Sequence, residues 1–79
     1  MDFRLAINME ILSLCQERNL TITQLAEISG VPISTVKNIL SGQSHNPGIL
    51  TLLALCDGLQ IELADFITAA QQRTQIPNL

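Results

Sequence analysis

Apolar residues recur along the chain at helical spacing. Ile7, Ile11 and Leu14 stand at i, i+4 and i+7, on one helix face, and Leu5, Met9 and Leu12 form a second stripe. They predict a first helix from about Phe3 or Arg4 to Arg18. A helix with two apolar stripes is either more buried than usual or meets a partner as well as its own core. Asn19 suits its end, because asparagine tolerates the left-handed conformation there. Thr21-x-x-Gln24 has the capping-box pattern at the start of a second, short helix that stops near Ser29. Gly30 supplies the positive φ of a sharp turn. Pro32 is compatible with the first turn of a third helix, which runs from about Ile33 to Ser41 and is terminated by Gly42.

Residues 43–48 are six turn-forming or polar residues in a row and predict a loop. A fourth helix follows from about Ile49 to Gly58, with Ile49, Leu52, Leu53 and Cys56 as its expected inner face. Leu59, Gln60 and Ile61 form a short connection. Glu62 begins the fifth helix, at the positive end of its dipole. Leu63, Phe66 and Ile67 are expected to point inward, and the helix to fade near Gln71. The expectation is an all-α, five-helix domain over residues 1–70 with a polar tail over 71–79.

Composition narrows the function. Seventy-nine residues hold one core, and 47% of them are apolar. With two Phe and no Trp or Tyr, the chain is poorly supplied for stacking on single-stranded nucleic acid. No run of about 18 apolar residues predicts a membrane span. Asp2, Arg4 and Glu10 interrupt any signal-peptide core, so a cytoplasmic protein is expected. Cys15 and Cys56 fall in helical patterns and read as small buried hydrophobes in a reducing compartment. His45 has no second ligand at metal spacing. There is no nucleophile–base pair and no phosphate-cradling Gly-rich loop, and Asp57 and Asp65 read as solvated surface. No enzyme activity, cofactor, metal or small-molecule ligand is therefore expected. The net charge of −3, with only Arg4, Arg18, Lys37 and Arg73 as fixed cations, argues mildly against nucleic acid.

The motif between Thr21 and Gly42 opposes that argument. Two short helices held at a steep angle need apolar residues between them, a small residue at the close approach and a glycine at the turn. Leu25, Ala26, Gly30, Val31, Val36 and Ile39 supply these. The segment Gln24 to Gly42 resembles the helix-turn-helix of the lambda repressor/Cro-like (XRE) family. The similarity extends to Pro47, to the run Ile49–Leu59 with Gln60-Ile61 where the family has Gly-Val, and to Leu63-Ala64-Asp65-Phe66-Ile67. It covers roughly Ile11 to Ile67 and implies the lambda repressor-like fold, with the helix-turn-helix as helices 2 and 3.

Carried over by position, the resemblance places Ile33, Ser34, Lys37 and Asn38 on the base-contacting face of the third helix. Asn38 suits adenine, Lys37 guanine or a phosphate, and Ile33 a thymine methyl. Ile33 equally suits packing against Ile28. Thr21, Thr23 and Gln24, beside free N–H groups of the second helix, read as phosphate-positioning residues. Thr35 at the edge of the face, and Ser44 and His45 in the loop, are further phosphate candidates. Where many relatives hold a buried Arg–Glu pair, this chain has Cys15 and Leu40, which are expected to touch.

The implied function is a sequence-specific regulator, a repressor, that binds duplex DNA as a homodimer. The rival is a protein-interaction module of the same fold, of antitoxin or anti-repressor type. Either the second stripe of the first helix or the fifth helix and tail, through Ile76 and Leu79, would form the dimer surface.

Overall fold

The structure is a computed structural model and describes residues 2–42 and 46–75. Its helices are α1 (Phe3–Glu17), α2 (Ile22–Ser29), α3 (Ile33–Leu40), α4 (Ile49–Leu59) and α5 (Leu63–Thr74), with no strand among the described residues. Local signals set most of the boundaries. Asp2 caps α1: its carboxylate accepts from the Arg4 N–H at 2.8 Å and from the Arg4 guanidinium at 2.9 Å. Those bonds hold the Asp2 carboxyl below the usual carboxylate range. Asn19 takes φ 54° after the helix, and Gly30 takes φ 72° after α2. Pro32 stands one position earlier than expected, as the N-cap of α3, where its carbonyl accepts from Thr35 and Val36.

The core collects Ile7, Ile11 and Leu14 of α1, Leu25 and Ala26 of α2, Val36 and Ile39 of α3, and Phe66 and Ala70 of α5. Cys15 lies in this core, and Leu40, Leu63 and Ile67 pack partly buried against it. α1 packs chiefly against α5, while α2 packs against both α3 and α4. The second stripe of α1, Leu5, Met9 and Leu12, stays exposed.

α4 is turned differently from the expectation. Its buried residues are Leu52, Leu55, Cys56 and Leu59, whereas Ile49 and Leu53 face out. Residues 49, 52, 53 and 56 and residues 52, 55, 56 and 59 are both i, i+3, i+4, i+7 sets, and on so apolar a helix periodicity cannot choose between them. Packing on α2 chooses. Gly58 abuts the end of α2 so closely that a Cβ there would lie 3.0 Å from the Ser29 Cβ. Any side chain there would force the end of α2 to give by a few tenths of an ångström, so glycine suits the close approach.

Gln60, not glycine, follows α4 in the left-handed region at φ 57°, ψ 44°. Glu62 is the N-cap of α5 rather than its first residue, and its side chain makes no capping bond. α5 runs to Thr74, one turn past the expected end. The buried Ala70 and an ion pair from Arg73 to Glu10, 2.7 Å long, hold that extra turn against α1. Glu10 is buried, and it is positioned between Ile7 and Leu14 on the inner face of α1.

Candidate nucleic-acid interface

α3 has two unlike faces. Val36 and Ile39 are buried against α2, and on the other side Ser34, Lys37 and Asn38 are exposed together. Ile33 is 37% exposed. It lines an open cleft of about 260 Å³ with Thr23, Ala26, Glu27 and Val31, at the corner where α2 meets α3. Thr35 is half-buried at the edge of the exposed face. The four residues expected at base edges thus occupy one surface of one helix.

α2 presents its N-terminal end with Thr21, Thr23 and Gln24 all exposed. The capping box forms in full: the Gln24 N–H donates to Thr21 Oγ1 at 3.1 Å, and the Thr21 N–H donates to Gln24 Oε1 at 2.9 Å. These bonds use side-chain oxygens as acceptors. The Thr21 hydroxyl hydrogen and the Gln24 amide hydrogens remain as donors, the polarity a phosphate oxygen requires. Ser44 and His45 lie outside the described residues.

The charge around this surface was not legible in composition. Arg4 pairs with Asp2, Arg18 with Glu17 and Arg73 with Glu10. Of the four fixed cations only Lys37 stands outside an ion pair among the described residues, and it stands on the exposed face of α3. Glu10 had a readable signal, a carboxylate on an otherwise apolar helix face, which demands a partner. Arg73 had none, because its role depends on where α5 ends. Both thiols are buried, and burial pushes Cys15 above its ordinary range and Cys56 up to about 11.

A helix-turn-helix family profile matches residues 11–66, most of the chain and all of α2 to α4. The chain belongs to the helix-turn-helix family. It is of the lambda repressor/Cro (XRE) type, a family of DNA-binding transcription regulators, as the motif at Gln24–Gly42 indicated. The fold matches the crystal structure of the clp gene regulator ClgR from C. glutamicum with a TM-score of 0.82 at 21% identity. That match covers 98% of this chain and 99% of the other. At so low an identity it speaks for the fold alone. A comparison with curated proteins yields no match. None of the described helices is long and apolar enough to cross a membrane.

Proposed function

We propose that the protein is a sequence-specific repressor that binds duplex DNA as a homodimer and carries no enzymatic activity. The observation that carries this reading is the outer face of α3: Ser34, Lys37 and Asn38 are exposed side by side, and Lys37 is the one fixed cation outside an ion pair among the described residues. Asn38 bonds adenine through two hydrogen bonds, Lys37 reaches guanine or a phosphate, Ser34 accepts several bases and Ile33 meets a thymine methyl. Thr21, Thr23, Gln24 and Thr35 hold phosphates and set the register of α3 in the major groove. Ser44 and His45 are proposed as further backbone contacts.

One copy holds too few cations to bind tightly, so two half-sites about one helical turn apart are required. Selection of bound sequences from a random duplex pool tests the reading. It should enrich a two-fold symmetric site, and Asn38→Ala should relax one position in each half. With Lys37 neutralising about one phosphate per copy, the logarithm of affinity should fall with that of salt at about −0.9 per neutralised phosphate, a shallow slope of about −2 for the dimer. A folded protein that enriches no site would instead favour the protein-interaction module, for which the net charge of −3 speaks.

A further inference from the structure

α4 carries an apolar stripe that the fold leaves bare. Ile49 is 60%, Leu50 78% and Leu53 41% exposed. Leu50, Leu53 and Asp57 stand at i, i+3 and i+7, so a carboxylate follows the two leucines along one face. There the stripe opens into a cleft of about 340 Å³ between α4 and α5, lined by Leu53, Ile61 and Leu63 together with Asp57 and Glu62. Ile61 and Leu63 are half-buried, whereas Asp57 and Glu62 are exposed. The groove thus has an apolar floor and an acidic rim.

The excess charge of the chain gathers at the same place. Asp2, Glu10 and Glu17 are each paired with an arginine. Glu27, Asp57, Glu62 and Asp65 are the acids outside ion pairs among the described residues. Three of those four lie around the junction of α4 and α5, all of them exposed. Lys37, the cation left to offset them, stands on α3, and no Lys or Arg lines the cleft. The net charge of −3 is therefore carried chiefly by the surroundings of this groove.

We propose that the groove docks a basic amphipathic helix of a different protein. The partner lays apolar side chains over Leu50 and Leu53 and into the cleft, while its Lys or Arg residues meet Asp57, Glu62 and Asp65. Helix-in-groove docking needs an apolar strip for anchors one turn apart, and from Leu50 to Asp57 α4 offers about 10 Å of it. Charge complementarity selects the occupant. A second copy of this chain brings a net charge of −3 and sets the same carboxylates against one another. The bare stripe of α1 lacks such selection, because its two acids, Glu10 and Glu17, are already paired with arginines. The groove is small, so the contact is of the transient class and depends on its charges, which makes it sensitive to salt. It shares no residue with the proposed DNA face and stands whether or not α3 holds DNA.

The probe is a labelled synthetic helical peptide of about 18 residues, with leucines at i, i+3, i+4 and i+7 and lysines on both flanks. Its binding to the protein alone is read by fluorescence anisotropy. Wild type should bind it about tenfold more weakly in about 0.5 M than in about 0.05 M salt. A peptide with Glu for every Lys, or with Ser for every Leu, should lose about tenfold or more in affinity. Leu50→Ser, and the double variant Asp57→Asn with Glu62→Gln, should each lose about fivefold or more, with helical circular dichroism retained. Leu12→Ser, on the bare stripe of α1, should bind as wild type does. No binding by wild type, binding retained in Leu50→Ser, or binding lost in Leu12→Ser overturns the proposal. Equal binding of the Glu peptide removes the charge argument and overturns it too. Self-association in sedimentation equilibrium that Leu50→Ser abolishes gives the face to a second copy and likewise overturns it. None of these readouts involves DNA, so failure here is distinguishable from failure of the DNA reading.

Discussion

The corner of α2 and α3 and the pair of α1 and α5 both bury an apolar face, yet they are assembled by different means. The corner is built from neighbours in sequence: the Thr21–Gln24 capping box, Gly30 in the left-handed turn and Pro32 at the head of α3. The pair joins residues 63 positions apart through Glu10 and Arg73, around the buried Phe66 and Ala70. Local bonds can be removed at modest cost, because water replaces them. A contact between distant helices, once opened, leaves a cavity or a buried charge behind.

This contrast orders the expected effects of substitution. Phe66→Ala should be the most damaging, losing about 3–5 kcal/mol through an unfilled cavity, as read by urea denaturation. If it melts α5 while the corner persists as a separate transition, the two regions are not one cooperative unit. Arg73→Met should cost about 2 kcal/mol, since it leaves the Glu10 carboxylate buried without its partner. Adding Glu10→Leu to Arg73→Met should restore most of that loss, because a matched apolar pair strands no charge. A double variant no more stable than Arg73→Met would show that the cost is lost packing.

In the corner, Thr21→Ala should cost only about 1 kcal/mol by thermal melting, the usual worth of an N-cap. Gln60→Gly should go the other way and stabilise by about 0.5–1 kcal/mol. Its φ of 57° strains any residue with a Cβ by more than the added unfolded-state freedom of glycine costs. The last effect is read chemically. The buried thiols of Cys15 and Cys56 should resist an aromatic disulfide reagent at pH 8 in the folded protein and react on unfolding. The folded pKa of Cys56 lies above its ordinary 9.0, so its contribution is intact below pH 9 and lost as pH rises towards about 11.

Features that depend on adjacent residues were legible in the chain. Thr21 and Gln24 stand three apart, Gly30 and Pro32 punctuate the turn, and Val36 and Ile39 pattern the inner side of α3. The outer side of α3, which carries the proposed base contacts, followed from the same period. The length of α5 was not legible, because Gln71 to Thr74 are polar and their helix is held by contacts with α1.

The sequence by itself determined the order of the helices, the capped turn between α2 and α3, and which residues α3 turns outward. Those follow from short-range hydrogen bonding and a 3.6-residue period, both complete within a few residues. Only the tertiary structure decided the rotation of α4, the burial of Glu10 and its ion pair with Arg73. On α4 two apolar faces satisfy the same period, and the close approach of Gly58 to Ser29 selects the one that buries Leu55 and Leu59. The other face, with Leu50 at its most exposed point, is left in solvent.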